Sequence, residues 1–404
     1  MLDLDIAIVG AGSAGLTLAL LLSELPLKIA VLDKGDAPQI GTAPSLQRVS
    51  ALNQASRRVL QQLGAWQQLS SKAEFEKMEV WEADSFARIA FDAAGQQVDA
   101  LGYLVDNEEL RQCLFQQLAD KANVRCLFNC QIDSINAGEE QTLLSLSGQG
   151  PVLCKLLVAA DGANSFVRQQ LKMPIAFWDY DHQALVCQIH STEPHGQCAR
   201  QVFLKDGPLA LLPLADPHLL SIVWSVPPQQ AEQLLALSET EFNKALTVAS
   251  GHALGLLSRA SVLSAHPLKM RYASEWLLNK VVLVADAAHT IHPLAGQGMN
   301  LGLMDVVALA ELISEQVAAR KPLQEERLLR RFERWRKAEA QTLIVAMEAF
   351  KRGFGSANPA LKLVRGLGMR LVDKAGPLKK SIMAAALGNS GDLPKRARPE
   401  FTPD

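Results

Sequence analysis

The chain has 404 residues, of which 49% are hydrophobic and 20% are charged, and its formal net charge at pH 7 is −2. This length and composition predict a globular protein with a substantial core and two domains. The near-neutral charge argues against a general nucleic-acid binder, so we expect no nucleic-acid partner.

The six cysteines form no Cys-x-x-Cys pair, so we expect reduced and mainly buried thiols. The first predicted strand begins about five residues after the start, with no signal peptide ahead of it, and no apolar run approaches the ~18 residues that span a bilayer. The expectation is a cytoplasmic protein without a transmembrane segment. No metal-ligand cluster is evident, and no metal is expected.

The first elements are an apolar strand, a glycine-rich turn, a helix and a second strand that ends in a carboxylate. The turn has the G-x-G-x-x-G pattern and reads Gly10-Ala11-Gly12-Ser13-Ala14-Gly15. Gly10 allows the tight turn, Gly12 lets a pyrophosphate approach the backbone, and Gly15 lets the helix pack closely on the sheet. The helix N-terminus favours phosphate groups, and Asp33 lies where a ribose hydroxyl can donate to it. Together these elements predict a dinucleotide-binding site.

Beyond Asp33, apolar periodicity predicts an α/β core interrupted by antiparallel strands and followed by helices. In chain order the predicted elements are helix 54–63, strands within 75–105, helix 107–122, strands 124–127 and 156–160, strands within 184–226, helical structure after Pro227-Pro228, a buried strand at 281–285, helix 299–318, and helical structure over 325–387 with breaks near 353–355 and 359.

Two further motifs follow buried strands. The first is V-A-A-D-G-A-N-S-F-V-R over residues 158–168, and the second is V-A-D-A-A-H-T-I-H-P-L-A-G-Q-G-M-N-L-G over residues 284–302. With the first turn, they resemble the FAD-dependent aromatic hydroxylases of the para-hydroxybenzoate hydroxylase type, which carry all three in this order. Further similarity to the ubiquinone-biosynthesis hydroxylases, nearest the branch acting on the demethoxy-ubiquinol ring, lies in segments 78–81, 101–103, 206–214, 286–305 and 353–387.

The resemblance implies a Rossmann-like FAD-binding domain interrupted by an antiparallel β-sheet substrate domain, with a helical C-terminal region. The expected division is residues 1–72, 101–178 and 266–345 for FAD, 73–100 and 179–265 for substrate, and 346–404 for the basic C-terminal region. The implied reaction is hydroxylation of a polyprenylated phenol or quinol with NADH or NADPH and O₂, through a flavin C4a-hydroperoxide. Because there is one nucleotide motif, FAD is expected to stay bound while the nicotinamide visits.

The motifs and the resemblance together give a set of candidate site residues. For cofactor binding these are Gly10, Gly12, Ala14, Gly15, Asp33, Lys34, Arg48, Asn107, Asp161, Asp286, Gly298, Met299 and Asn300. The loop expected at the flavin face supplies its backbone for catalysis through Pro293, Leu294 and Gly296. Candidate substrate-lining residues are Trp178, Tyr180, Leu212 and Pro293.

Several of these assignments have simpler alternatives. Asp286 suits a ribityl hydroxyl of FAD but also suits a helix cap, and Arg48 suits the FAD phosphates but also an ordinary exposed position. Core packing is the alternative for Trp178 and Leu212. The family usually has Gly where this chain has Ala285, which is small enough to keep the turn. It also usually has Arg or Gln in place of Asn107, which puts that flavin contact in doubt, and Arg is frequent where this chain has Lys34.

The C-terminal residues from 351 onward contain eleven Lys or Arg against four acids, a net charge of +7. Basic residues among apolar ones suit an anionic membrane surface, so a peripheral location at the inner face of the cell membrane is a further expectation. A solvated basic face is the alternative. The basic residues considered for lipid contact are Lys362, Arg365, Arg370, Lys374 and Lys379.

Two other functional classes remain open from the sequence. A flavin-dependent reductase or dehydrogenase of a lipid would share the first motif but insert no oxygen. A flavin-binding scaffold would hold FAD without turnover. Association with other ubiquinone-biosynthesis proteins is implied by the resemblance alone.

Overall fold

The fold is given by a computed structural model, which describes residues 1–41, 44–83, 85, 88–96, 98–291, 297–354 and 383–399. The strands in chain order are β1 (Leu2–Val9), β2 (Ile29–Leu32), β3 (Val49–Leu52), β4 (Ala73–Phe75), β5 (Lys77–Glu82), β6 (Arg88–Asp92), β7 (Gly102–Asp106), β8 (Val124–Leu127), β9 (Ile132–Ala137), β10 (Thr142–Leu146), β11 (Val152–Ala159), β12 (Ile175–Ser191), β13 (Cys198–Leu204), β14 (Gly207–Pro213), β15 (Leu219–Val226), β16 (Leu257–Arg259), β17 (Ser264–Ala273), β18 (Leu277–Leu278), β19 (Val281–Leu283) and β20 (His289–Thr290).

Several of the α-helices begin where a side chain accepts a hydrogen bond from one of their first N–H groups. Asn53 and Asp106 cap two of them, and Ser238 and Glu241 form a capping box at a third. The helices are α1 (Ser13–Leu22), α2 (Gln54–Gln62), α3 (Ala65–Gln68), α4 (Asn107–Gln117), α5 (Phe166–Gln170), α6 (Pro228–Ala236), α7 (Glu239–Ala249), α8 (Gln297–Ala318) and α9 (Glu326–Phe354).

The first sheet is built on parallel strands in the order β19-β11-β1-β2-β8, with β18 at one edge and β9 and β10 joined to β11 as an antiparallel extension. Its central strands are almost wholly apolar because helices or other strands cover both faces. Helix α8 packs against α1 on this sheet. The arrangement is the dinucleotide-binding α/β core expected from the sequence.

The second sheet has the order β20-β17-β12-β15-β14-β13-β5-β6, with β16 joined to β12. Its pairs are antiparallel except for β13 with β5. One face packs on α6 and α7 around the buried side chains of Trp224 and Phe242. A third, three-stranded sheet has the order β3-β7-β4. This architecture confirms the predicted fold class of a nucleotide-binding core interrupted by a largely antiparallel sheet.

The pairing of the strands differs from the expected domain division in a few segments. β12 begins at Ile175 and β17 continues to Ala273, so residues 175–178 and 266–273 belong to the second sheet. β4 pairs with β7 in the small sheet, although residues 73–75 were assigned to the substrate domain. Both long strands belong to the second sheet over their whole length, a continuity that local composition does not reveal. The division into domains otherwise stays a prediction.

Helix and strand ends also differ from expectation in particular places. The helix predicted over 107–122 ends at Gln117, after which a turn leads into β8. Helix α9 ends at Phe354, within the expected break at 353–355, and most of the predicted helical stretch beyond it lies outside the described residues. Among the helices described, none combines the length and apolar character needed to cross a membrane.

Candidate active site

Four parallel strands of the first sheet end side by side, and candidate residues follow each of them. The register places Val9 beside Leu32 and Ala159, and Ala159 beside Leu283. The segments that follow carry, in the same order across the sheet, Asp33, the glycine turn, Asp161 and Asp286. Since ligands of open α/β sheets bind at the carboxyl ends of strands, this edge is the candidate site. The three motifs, far apart in sequence, therefore meet in space.

The glycine turn is shaped by two close backbone approaches. Gly10 has φ +108°, and a Cβ there would overlap the carbonyl oxygen of Ala160. A Cβ on Gly15 would overlap the carbonyl oxygen of Gly10. At Gly12 the situation is different, because, apart from its chain neighbours, no atom of the described residues lies within 4 Å of the position a Cβ would take. Gly12 is also the N-cap of α1, so its surroundings leave room for a phosphate beside free N–H groups.

Asp33 holds the glycine turn through its own carboxylate. Its Oδ2 accepts from the N–H of Ala11 at 2.6 Å and its Oδ1 from the N–H of Gly35 at 2.8 Å. Arg111 of α4, which is not among the residues predicted from the sequence, also binds this region. Its Nε donates to Ala11 O at 2.8 Å and its Nη2 to Asp36 O at 2.9 Å. The glycine turn is thus fixed on both its N–H and its carbonyl side.

The 158–168 motif bridges the two other segments. One oxygen of Asp161 accepts from the N–H of Val167 at 3.1 Å, while its buried Oδ1 has no partner in the described part of the chain. Burial raises the pKa of the Asp161 carboxyl, against the opposing hydrogen bonds from Ser165 and Val167. The buried Arg168 donates to Ala287 O at 2.7 Å and to Ala163 O at 2.8 Å. Arg168 therefore ties this motif to the turn that carries Asp286.

Asp286 lies in a short 3₁₀ turn, Ala285–Ala287, directly after the parallel strand β19. Its side chain is exposed to water, although neighbouring protein atoms partly desolvate it. Burial raises the pKa of Asp286, while the nearby charges of His289, Arg48 and Arg271 lower it. A carboxylate so placed can accept a hydrogen bond from a ligand hydroxyl.

Behind this turn lies a buried polar assembly centred on Asp305 of α8. His289 Nε2 lies 2.6 Å from Asp305 Oδ2, Arg336 Nε donates to Asp305 Oδ1 at 2.8 Å, and the N–H of Ala285 donates to Asp305 Oδ2 at 3.1 Å. The ring of Trp276 covers His289 with 5.0 Å between ring centroids. Burial alone would raise the pKa of Asp305, but the charges and hydrogen bonds of His289 and Arg336 outweigh it and lower that pKa.

Three further cofactor candidates lie around the cleft. Arg48 is exposed. Its positive charge lowers the pKa of Asp286 and that of His266, so Arg48 lies near the Asp286 end of the site. The N–H of Asn107 donates to Arg48 O at 3.0 Å, and its buried Oδ1 has no partner among the described residues. Lys34 is exposed beside Asp33. Contacts of these side chains with a cofactor remain predictions.

At the start of α8, the half-buried residues Gly298 and Met299 lie in the first helical turn, whose N–H groups point out of the helix. Asn300 is buried, and its side chain links the helix to its neighbours by accepting from the N–H of Asn53 at 2.9 Å and donating to Ala51 O at 2.8 Å. Its side chain therefore supports the site from inside the protein. The flavin-face candidates Pro293, Leu294 and Gly296 lie outside the described residues.

The substrate candidates Trp178, Tyr180 and Leu212 are not brought together. Trp178 on β12 is 51% exposed, whereas Tyr180 is buried with Leu268 and Met270 and donates to the Met270 sulfur at 3.2 Å. Leu212 belongs to a different apolar cluster, between β14 and the three-stranded sheet. Of the two residues for which core packing is the alternative, Leu212 packs in an apolar cluster and Trp178 does not. Substrate contact of these residues stays a prediction, and Pro293 lies outside the described residues.

Part of the basic C-terminal region packs against the rest of the protein. Residues 383–399 dock on the nucleotide-binding core, where Lys395 pairs with Glu315 at 3.0 Å, Arg396 pairs with Glu24, and Ala397 is fully buried. These basic groups are neutralised within the protein. The lysines and arginines proposed for lipid contact, 362 to 379, lie outside the described residues.

The chemistry of the cleft fits FAD. A polar ligand is favoured by the buried oxygens of Asn107 and Asp161, which have no partner in the described part, and by the acceptor Asp286. The space at Gly12 and the N-terminus of α1 suits a pyrophosphate. Within the described residues, no three His, Cys, Asp or Glu side chains are grouped to hold a metal ion.

Known proteins match this chain along nearly its whole length. A family model described as FAD binding domain matches residues 3–346. The 3-demethoxyubiquinol 3-hydroxylase of Escherichia coli (strain K12) is 32% identical over 387 residues, covering 95% of this chain and 98% of its own. The mitochondrial ubiquinone biosynthesis monooxygenase COQ6 of Danio rerio is 31% identical over 433 residues, covering 95% and 89%.

Among solved structures, p-nitrophenol 4-monooxygenase PnpA from Pseudomonas putida DLL-E4 shares the fold, with a TM-score of 0.78 at 18% identity, covering 97% of this chain and all of that one. The match to an FAD-binding family over most of the chain is consistent with a site whose chemistry fits FAD. The chain belongs to the FAD binding domain family, and the curated relatives described here are hydroxylases of ubiquinone biosynthesis.

Proposed function

We propose that this protein is an FAD-dependent monooxygenase that hydroxylates the ring of a polyprenylated phenol or quinol in ubiquinone biosynthesis. The observation that carries the proposal is the meeting of Gly12, Asp161 and Asp286 at one edge of the parallel sheet. The substrate class is that of relatives matched from end to end. NADH or NADPH and O₂ are the co-substrates such hydroxylases use.

When bound, FAD would take hydride from the nicotinamide and then activate O₂ for transfer of one oxygen atom to the ring. The protein's part is binding and orientation. Gly12 and the α1 N-terminus suit the pyrophosphate, and the Asp286 carboxylate suits a hydroxyl of the ribityl chain. The second sheet is joined to the Asp286 turn by pairing of β17 with β20, and this connection supports a role for the sheet in covering the reacting ring and excluding water.

The test uses purified protein reconstituted with FAD, supplied with NADH or NADPH, ¹⁸O₂ and a series of prenylated phenols. We expect one ¹⁸O atom in the hydroxylated product. The Asp286→Ala variant should bind FAD more weakly and form less product at equal protein concentration. Oxidation of the nicotinamide that yields only H₂O₂ with every phenol, or an unlabelled product, would contradict the proposal, and an unlabelled product would favour the reductase alternative.

We further propose that the protein works at a membrane surface, because a polyprenylated ring partitions into the bilayer. The support is compositional: between residues 351 and 380 there are eight Lys or Arg and one Asp, interspersed with apolar residues. We leave out Lys395 and Arg396, since each is already paired with an acidic side chain at the protein surface. Association with other enzymes of the same pathway remains an expectation from the resemblance.

A further inference from the structure

The residue before Asp286 has an unfavourable backbone conformation. Ala285 has φ +52°, in the left-handed region that glycine adopts freely and alanine does not. The relevant sequence is Val284-Ala285-Asp286, so the position that sets the direction of the carboxylate carries a Cβ. A residue held in this region persists only where the surrounding structure fixes it.

The fixing contacts come from the buried Asp305 assembly. Asp305 Oδ2 accepts from the N–H of Ala285 itself, at 3.1 Å, and from His289 at the far end of the same turn, at 2.6 Å. Arg336 of α9 binds the other carboxylate oxygen at 2.8 Å. The side chains of Asp305, His289 and Arg336 are 0%, 1% and 3% exposed. A buried ionic group of this kind stabilises a fold poorly compared with apolar packing, which favours a role in positioning.

The surroundings are also shaped to accept the extra methyl group. Across the interface with α8, a Cβ built on Gly302 would lie 2.8 Å from the Cβ of Ala285. Gly302 therefore leaves the space that the Ala285 methyl needs. On the other side of the turn, Arg168 donates to Ala287 O at 2.7 Å. Asp286 lies between these restraints and faces the cleft.

We propose that Asp305, supported by His289 and Arg336, is a positioning residue that holds Ala285 in its left-handed conformation and so presents Asp286 to the cofactor. The inference rests on the proposed function only in taking FAD as the ligand. In this chain, an anchor made by three buried side chains does the work that a glycine at 285 would do alone.

The decisive experiment is a double-mutant cycle on FAD affinity. The Kd of FAD is measured by flavin fluorescence for the wild type and for Asp305→Asn, Ala285→Gly and the double variant, with thermal melting of each apoprotein. Asp305→Asn should raise the Kd about tenfold. Ala285→Gly should leave it near the wild-type value, and the double variant should recover most of the loss, because glycine needs no anchor.

Arg320→Gly in the Asp305→Asn background is the matched control. Arg320 is exposed, has φ +53° and lies just beyond the far end of α8, so it tests the general effect of relieving a left-handed residue. It should not restore FAD affinity. Equal rescue by Arg320→Gly, or no rescue by Ala285→Gly, would overturn the proposal.

If Asp305→Asn does not fold, the same cycle is run with His289→Asn, which removes one contact of the anchor. Equal rescue by Arg320→Gly, or no rescue by Ala285→Gly, would again overturn the proposal. A wild-type protein that binds no FAD would instead contradict the proposed function, so the two failures are distinguishable.

Discussion

Gly12 and Gly15 lie in one turn but are constrained by different partners. A side chain at Gly15 would meet the protein's own backbone at Gly10, whereas one at Gly12 would enter space that is open among the described residues. We therefore expect Gly12 to be required for ligand binding and Gly15 to be required for the fold.

From this difference we predict opposite phenotypes for two alanine variants. Gly12→Ala should melt within a few degrees of the wild-type apoprotein yet bind FAD at least tenfold more weakly, because its methyl group occupies the approach of the pyrophosphate. Gly15→Ala should lower the melting temperature of the apoprotein, because α1 must move away from Gly10. Isothermal titration and thermal melting measure the two effects. Unchanged FAD affinity in Gly12→Ala would show that the pyrophosphate lies elsewhere.

Asp305 should make the stability of the protein depend on acid pH. Its pKa in the folded state is lowered by His289 and Arg336, which together outweigh the effect of burial. A carboxylate with a lowered folded pKa stabilises the protein above its ordinary pKa of 3.8, and this contribution is lost as the pH falls through the folded value.

Chemical denaturation of the apoprotein at pH 7, 5 and 3.5 tests this. We expect Asp305→Asn to cost about 3–5 kcal/mol at pH 7, because it leaves Arg336 buried without its charge partner. The difference between variant and wild type should narrow at the lowest pH. Glu326→Gln, on the exposed side of α9, is the control and should follow the wild-type curve. A difference that does not change with pH would contradict the assignment.

At the residue scale, the site positions predicted from the sequence are those that local spacing and motifs mark. The glycine turn, Asp33, Asp161 and Asp286 each follow a strand directly, and the family motifs mark them. Arg111 was not identified, because its partners Ala11 and Asp36 lie far from it along the chain. Asp305 could have been found from the sequence, because it is the one charged residue in the apolar first half of α8, which indicates a buried partner.

At the scale of elements, the C-terminal segment of residues 383–399 acts as a clasp across α2, α8 and α9. Arg58 of α2 donates to Ala397 O at 2.9 Å and to Asn389 Oδ1 at 2.7 Å. Trp335 of α9 donates to Asp392 O at 2.9 Å. Its first residues, Met383 and Leu387, pack with Leu101 beside the second sheet. The clasp thereby connects the nucleotide-binding core to the substrate side.

We predict that Arg58→Ala loosens this clasp. Loss of its two hydrogen bonds leaves the Ala397 carbonyl without its donor, at a cost of about 1–3 kcal/mol. Hydrogen exchange of residues 383–399 should become faster while that of β1 and β11 stays slow. Arg327→Ala, an exposed position on α9, provides the control. Exchange at the wild-type rate in Arg58→Ala would mean that other contacts alone hold the segment.

Elements with a strong local pattern were predicted well, and those defined by long-range pairing were not. Helix α2 and strand β8 fall within a residue of expectation, because a capping Asn and a short apolar run mark their ends. The length of β12 was underestimated, since its two halves pair with different parts of the second sheet and a register shift separates them. The docking of residues 383–399 could not be seen in sequence, because their basic side chains suggested solvent or lipid.

On the scale of the whole molecule, charge is unevenly distributed: the residues from 351 onward are at +7 while the complete chain is at −2. The structure reduces the part of this excess that is free to act on a membrane, since Lys395 and Arg396 pair with Glu315 and Glu24. What remains is the group between 351 and 380. Membrane attraction, if electrostatic, must therefore depend on that group and weaken with salt.

We predict that replacing five basic residues of this group by Gln abolishes sedimentation with anionic vesicles, because each Lys or Arg near such a surface contributes about 1 kcal/mol. Binding of the wild type should fall between 50 and 300 mM salt, with screening, and should be weak on neutral vesicles. A control variant, in which five basic residues that are exposed in the described part of the chain are changed to Gln, has the same net charge and should still bind. Equal loss in both variants would show that only net charge matters, and unchanged binding in the first would exclude this segment. The first variant changes Lys362, Arg365, Arg370, Lys374 and Lys379, and the control changes Lys28, Lys121, Arg125, Lys172 and Lys321.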